Sequence, residues 1–178
     1  MNWLQHWDIN LASESIHTER CILVPFSLDD WVDMEELTRE FCKANKDLFI
    51  SPFLPTVTEE IEYIQNAANA IIQNEVFENF ILDKQTHSLI GSIGLRTPEE
   101  HRMNIGLWIR ESEHWKWYAT ETYAALIEWS QRNTRYKYLK HSLDPRNVAS
   151  RKLALKFGGI LQDETNEKWD EIYHIPLK

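Results

Sequence analysis

The residues best placed to do chemistry lie in one run, 103–121, MNIGLWIRESEHWKWYATE. It opens with the period of two of a strand: Ile105, Leu107 and Ile109 alternate with Gly106, Trp108 and Arg110. A polar turn follows at Glu111, Ser112, Glu113 and His114. From Ala119 to Ser130 the apolar positions Tyr123, Leu126, Ile127 and Trp129 predict a helix, with Thr120 or Thr122 near its start. A strand feeding a loop that opens a helix leaves backbone N–H groups without partners. Together with the positive end of the helix dipole they attract a phosphate or a similar anion, and Lys116 adds a formal charge beside them. Further on, Asn147 and Ser150 stand one turn apart at the head of another helix; the simplest readings are an N-cap and a solvated serine. Glu111, His101, His141 and His174 are the candidates for moving a proton. A lone histidine is more often a satisfied structural residue, and a loop glutamate is more often solvated.

The elements that must position these residues follow in order. Residues 1–15 read as an arm, with Trp3, Leu4 and Trp7 at helical spacing to cover a core edge or a subunit neighbour. Residues 18–26 are extended and end near Pro25. Ser27, Leu28, Asp29 and Asp30 read as a helix start, with Trp31, Met34, Leu37 and Phe41 on its apolar face. Residues 43–57 read as irregular, since Pro52 and Pro55 exclude regular helix. Phe49, Phe53 and Leu54 there either pin the loop to the core or form a pocket wall. A helix starting at Thr58, Glu59 and Glu60 buries Ile61, Ile64, Ala68 and Ile71 or Ile72. Residues 76–83 and 88–96 form an antiparallel hairpin about the turn 84–87, and residues 136–144 form a strand. A helix over 145–158 is capped by Asn147 and stopped by Gly158, with Ala149, Leu153 and Phe157 on one face. Short strands at 160–162 and 171–175 close the chain. The layout is α/β or α+β with a mixed sheet, one domain over 1–178.

Composition narrows the classes. With 43% apolar residues and eight tryptophans the chain can bury a sizeable core. Nineteen Lys plus Arg against 28 Asp plus Glu give a net charge of −9, which argues against nucleic acid or an anionic membrane as a partner. Cys21 and Cys42 lie apart, which suggests neither a zinc site nor a disulfide framework, and Cys21 fits a buried strand position. No run approaches membrane-spanning length and the first residues lack a signal pattern, so the chain reads as cytoplasmic.

The stretch EHWKWYATET resembles the pyrophosphate-binding loop of the GNAT superfamily of N-acetyltransferases, in the branch of the ribosomal-protein N-terminal acetyltransferases. That loop reads Gln/Arg-x-x-Gly-x-Gly/Ala, often within W-G-K-G-Y-A-T-E. His114 takes its first place, Trp117 its glycine and Ala119 its last; Trp115 and Trp117 both stand where glycines are usual. HSLIGSIGLR resembles the family's L-I-G-x-I-G-L-R, and TERCILVP its opening T-E-R-L-x-L-R-P, with Val24 in place of arginine. D-P-x-N-x-x-S occurs at 144–150, and the L-x-K-x-G-F motif at 153–159 carries Gly159 in the aromatic's place. The order of elements follows the family along nearly the whole chain.

The resemblance implies a GNAT fold: a mixed, mostly antiparallel central sheet flanked by helices. It implies that the strand at 107–109 splays from the strand at 139–143 and that the acetyl-pantetheine arm of acetyl-CoA lies in the gap. Leu107, Trp108, Ile109, His114, Trp115, Lys116, Trp117, Tyr118, Ala119, Thr120, Asn147 and Ser150 would then contact acetyl-CoA. A backbone N–H within 107–109 would face the acetyl carbonyl. Many relatives place a thiolate-protonating tyrosine seven residues after the asparagine. Here that position is Ala154, which leaves Ser150 or a water as the acid, and Glu111 or a water as the base. The acceptor would be a primary amine, on a protein N-terminus or a small molecule, and a homodimer is compatible. The alternative is a GNAT-fold acyl-CoA-binding or regulatory protein without catalysis. At Trp117 a left-handed backbone would cost strain, while φ < 0 would turn an N–H away from the anion. Strain is expected to outweigh stacking of the indole on adenine, so that glycine there would tighten acetyl-CoA.

Overall fold

The computed structural model describes residues 9–27, 32–46, 54–96, 102–164 and 171–177. The strands are β1 (Ile16–His17), β2 (Cys21–Pro25), β3 (Phe77–Asp83), β4 (Leu89–Arg96), β5 (Arg102–Ile109), β6 (Tyr138–Leu143), β7 (Ile160–Leu161) and β8 (Glu171–Pro176). The helices are α1 (Met34–Asn45), α2 (Val57–Ile72), α3 (Tyr118–Asn133) and α4 (Val148–Lys156). All eight strands join one sheet in the order β1-β2-β3-β4-β5-β6-β8-β7. Every neighbouring pair is antiparallel except β5 and β6. The mixed α/β architecture implied by the resemblance is therefore what the chain adopts.

Helices cover both faces of the sheet. Phe41 of α1 packs edge-on against Trp108 of β5 at 5.4 Å. Tyr63 of α2 meets Phe26, which in turn packs on Phe80 of β3. On the opposite face Trp129 of α3 stacks on Phe77 of β3 at 4.4 Å, and Phe157, just after α4, packs on Tyr123 of α3. A central strand with both faces covered buries its whole length, and Phe77 to Leu82 are all buried. That burial includes Glu78, whose carboxylate lies 2.7 Å from Arg96 Nε and accepts from the Tyr63 hydroxyl at 3.3 Å. Glycines make the room: a Cβ at Gly94 would meet the Glu78 carboxylate, and one at Gly106 the Arg96 guanidinium.

Several local details differ from the sequence reading. Helix α1 starts at Met34 and is capped by Asp33, which accepts from Glu36 N, rather than by Ser27, Asp29 or Asp30. It runs on to Asn45, so residues 43–45 are helical and not irregular. Helix α2 starts one residue early because Thr56 and Glu59 form a reciprocal capping box. Its buried residues include Ala67 and Ile71, whereas Ile72 is 66% exposed. The end of the supposed arm joins the core: Leu11 is buried and Ile16–His17 pair with β2. In α4 the fully buried residue is Ala154, while Ala149 is exposed. Cys21 is buried as expected, and both cysteines are free. Trp3, Leu4, Trp7, Trp31, Phe49, Phe53 and His101 lie outside the described residues. Among the described residues no helix is long and apolar enough to cross a membrane.

Candidate active site

β5 and β6 run parallel and pair only through Arg102–Tyr138, Met103–Leu139 and Asn104–Lys140. Beyond Asn104 the two strands part. β5 continues against β4 up to the Gly91–Ile109 pair, and β6 continues against β8 up to Leu143–Glu171. Gly91 shows what holds the end of β5 to β4: an added Cβ there would lie 2.1 Å from the Trp108 carbonyl oxygen. A glycine permits that close approach, and Arg110 N closes it with a 2.8 Å bond to Ile90 O. Beyond Asn104 the edge of β5 toward β6 has no strand partner among the described residues, although Ile109 O accepts from the His114 side chain of the loop that follows.

The fork opens into a cleft of about 420 Å³. Its walls come from Leu107, Trp108 and Ile109 of β5; from Glu113, His114, Trp115 and Trp117 of the loop; and from Tyr118, Ala119 and Thr120 of α3. Asn147 and the α4 residues Ala149, Ser150, Lys152, Leu153 and Lys156 face them, and Ala44 and Asn45 close the α1 end.

The loop keeps a glycine-like path although it contains no glycine. Trp115 and Trp117 both adopt left-handed backbone, with φ of 66° and 68°. Each such residue costs roughly 1–2 kcal/mol when it carries a side chain. Trp117 is also the N-cap of α3, and no side chain caps that helix. Among the described residues the first-turn N–H groups have no side-chain partners where Tyr118, Ala119 and Thr120 meet the cleft. These features fit the diphosphate of a coenzyme A thioester: open donors, a dipole end and a narrow fork for the pantetheine arm.

Arg20 fastens the loop from outside. Its Nη1 donates to Lys116 O at 2.9 Å, its Nε donates to Glu121 Oε2 at 2.8 Å, and its guanidinium lies over the Tyr118 ring at 4.3 Å. Glu121 also accepts from the Thr18 hydroxyl at 2.6 Å and from Arg20 N at 2.8 Å. Burial works against ionisation of Glu121, but these bonds outweigh it and hold the carboxyl below its usual range.

The expected site residues fall into groups. Leu107, Trp108, Ile109, His114, Trp115, Trp117, Tyr118, Ala119, Thr120, Asn147 and Ser150 come together on the cleft wall. His114 also serves the loop, since its Nε2 donates to Ile109 O at 2.8 Å. Lys116 is not on the wall; its ammonium pairs with Glu113 at 3.0 Å. Glu111 is not on the wall either, and lies 3.4 Å from Lys43 Nζ. His141 faces α3 inside the core, where its Nδ1 bonds the Tyr123 hydroxyl at 2.8 Å and burial pulls its pKa down to about 4. His174 stacks on Tyr138 at 3.8 Å and its Nε2 lies 2.8 Å from Glu164; burial lowers its pKa while Glu164 opposes the shift.

Asn147 caps α4 by accepting from Ser150 N at 3.0 Å. The Ser150 hydroxyl makes no hydrogen bond among the described residues, so it is available to a ligand. Sequence reasoning missed Arg20, Ala44, Asn45, Lys152 and Lys156. The fourfold spacing of the two lysines on one helix was the available signal for that pair.

The pattern of the Acetyltransferase (GNAT) domain matches residues 20–160, and the chain belongs to that family. Its members are acyltransferases that use acetyl-CoA, and acetyl-CoA is the cosubstrate here. Similar folds include a Salmonella typhimurium acetyltransferase that modifies the N-terminal serine of a 50S ribosomal subunit protein. It is 17% identical with a TM-score of 0.72, over 93% of this chain and 100% of that one. The microcin C7 self-immunity acetyltransferase MccE, solved with acetyl-CoA and AMP, is 17% identical with a TM-score of 0.75, over 95% and 99%. The Vibrio fischeri ribosomal-protein-S5-alanine acetyltransferase is 14% identical with a TM-score of 0.67, over 91% and 94%. No curated protein sequence matches the chain.

Proposed function

We propose that the chain is an N-acetyltransferase that moves the acetyl group of acetyl-CoA to a primary amine by direct attack, on a protein N-terminus or a small molecule. The observation that carries this reading is the fork between β5 and β6, which opens onto the uncapped start of α3. The α3 N–H groups hold the diphosphate, and backbone beyond Asn104 aligns the pantetheine arm. A backbone N–H within residues 107–109 stabilises charge on the carbonyl oxygen as the amine attacks. Asn147 orients the head of α4 and bonds the same arm, and Ser150 relays a proton to the departing sulfur, regaining its own from the water that takes the amine's proton. Ala154 supports that assignment: it is fully buried where many relatives carry a tyrosine, so no phenol reaches the cleft from that position. Glu111 sits by Lys43 outside the cleft wall, which favours a water over a side chain as the proton acceptor.

The test measures free thiol on mixing the protein with acetyl-CoA and a panel of N-terminal peptides and small amines. Amine-dependent thiol release is the expected result. Saturating acetyl-CoA should also raise the melting temperature, since a ligand at a hundred times its Kd adds about 2.7 kcal/mol. Binding without amine-dependent release would instead establish an acyl-CoA-binding or regulatory protein, a reading favoured by the internal partners that occupy Lys116 and His114.

A further inference from the structure

The α1 and α2 face of the sheet carries a row of polar side chains where β5 and β6 part. Arg96, Asn104, Lys140 and His174 are successive register partners across β4, β5, β6 and β8, so they share that face. Their neighbours Leu95, Ile105, Leu139 and Ile175 are buried on the other side. Arg96 is held along one edge. Its Nε lies 2.7 Å from Glu78 Oε1 and its Nη2 donates to Glu78 Oε2 at 3.2 Å, whereas Nη1 has no hydrogen bond among the described residues. The guanidinium is thereby laid over Gly106, where an added Cβ would lie 2.8 Å from Arg96 Cζ. Its side chain is nevertheless 40% exposed. Asn104, at the last paired position of β5 and β6, has a buried Oδ1 with no hydrogen-bond partner among the described residues. An unpaired buried polar atom is costly and calls for a partner. Lys140 Nζ, on the far side of Asn104, lies 3.8 Å from Glu164. Two cations with donors to spare thus flank an unsatisfied amide at the fork, on a chain of net charge −9.

We propose that Arg96, Asn104 and Lys140 recognise an anionic group on the acceptor, so that the preferred substrate is an amine carrying a carboxylate a few bonds from its nitrogen. This rests on the reading of the chain as an amine acetyltransferase. With the donor entering from the α3 and α4 side, the amine reaches the thioester carbon from the opposite face of the fork, and that face bears the row. Gly106 adjoins Leu107, the first residue of the segment whose N–H faces the carbonyl. The guanidinium over Gly106 therefore stands one to three residues from the reaction, about 3–10 Å along a strand. A free amino acid fits that reach, and so does an acidic residue beside a peptide N-terminus. Glu78 occupies the Nε edge of Arg96 and leaves the Nη1–Nη2 edge, a planar pair of donors suited to a carboxylate. Because Glu78 is itself fixed by the Tyr63 hydroxyl, Arg96 is oriented before the acceptor arrives and loses little freedom on binding. Asn104 can turn its Nδ2 toward the same anion, and Lys140 adds a second charge.

Steady-state acetylation of paired acceptors tests this. One arm sets β-alanine, γ-aminobutyrate and δ-aminovalerate against their carboxamides; the other sets serine-headed peptides with glutamate in second place against those with glutamine. Carboxylates should exceed their amides in kcat/KM by about tenfold to a hundredfold, mainly through KM, as expected of a hydrogen bond to a charged group. The preference should shrink as salt rises. The double variant Arg96→Gln/Glu78→Gln, which leaves no buried carboxylate without its cation, should use each pair alike. Lys140→Gln should lose part of the preference. A preference in the first arm alone supports the seat with a free amino acid as acceptor, and one in the second alone supports it with an acidic N-terminus. Carboxylates used no better than amides by the unaltered protein, or a preference that survives the double variant, would overturn the seat while leaving acetyl transfer intact. No turnover of any amine by a protein that binds acetyl-CoA would overturn the transferase reading, and the seat with it.

Discussion

Arg20 Nη2 and Glu121 Oε2 meet at 2.7 Å, although the two residues are 101 positions apart in the chain. The pair joins the bend before β2 to the first turn of α3, where a carboxylate also suits the helix dipole. Because the same guanidinium holds Lys116 O, the loop that would receive a diphosphate is set by a contact outside the cleft.

Arg20→Gln should therefore weaken acetyl-CoA binding without removing any group from the cleft wall. A double-mutant cycle with Glu121→Gln, followed by urea unfolding, should show coupling of about 1–3 kcal/mol. Since the folded-state pKa of Glu121 is depressed, its contribution is complete above the usual carboxylate range. It fades as pH falls through the folded value, because the unfolded chain takes up the proton first. Coupling near zero at pH 7 would place the anchoring of the loop elsewhere.

The buried Tyr123–His141 pair gives a second pH signature. Burial lowers the His141 pKa to about 4, so the folded protein keeps the ring neutral while the unfolded chain protonates near its ordinary value of about 6.5. Between those values the unfolded state binds more protons, and stability should fall as pH drops from 6.5 toward 4. The slope should approach about 1.4 kcal/mol per pH unit from this group. His141→Gln should flatten that part of the profile in urea titrations, while activity at neutral pH should persist if the histidine is structural. A profile identical in both proteins would mean that His141 protonates freely in the fold.

Much of this organisation was legible in the sequence, and the losses have physical causes. The strand–loop–helix run at 103–121 and the helix headed by Asn147 were readable because periodicity and capping are local. The cap of α1 was misplaced because Ser27, Asp29, Asp30 and Asp33 all suit that role, and only the backbone bonds choose among them. Local pattern could not reveal the parting of β5 from β6, a non-local pairing; the family resemblance supplied it. Nor could a sequence show that His114 spends its Nε2 on Ile109 O. The lysine spacing on α4 was visible, but which helix face meets the cleft depends on the burial of Ala154.

Gly91 tests the origin of the fork. A Cβ there would overlap the Trp108 carbonyl oxygen, which is backbone and cannot rotate away. Gly91→Ala should push the end of β5 from β4 toward β6 and narrow the gap. The expected result is a loss of about 1–3 kcal/mol in urea unfolding, typical of overpacking, with a larger proportional loss of acetyl-CoA affinity. A variant that lost stability yet bound the thioester normally would show that the fork is set by β6 and β8 instead.

Ser150 is the sharpest test of the chemistry. Its backbone N–H, not its hydroxyl, serves the Asn147 cap, so Ser150→Ala should keep the 3.0 Å contact and the start of α4 intact. Its side chain is on the cleft wall with no hydrogen bond to the described residues. Removing a hydroxyl that protonates the leaving sulfur should lower kcat and kcat/KM together, by about 10²-fold for a general acid. Acetyl-CoA affinity should stay within about twofold, because a ground-state thioester sulfur is a weak acceptor. Steady-state kinetics with calorimetry on both proteins separate the two effects. A fall in affinity with unchanged kcat would make Ser150 a contact to the pantetheine arm. An unchanged kcat from pH 6 to 9 with unchanged affinity would leave protonation of the sulfur to water.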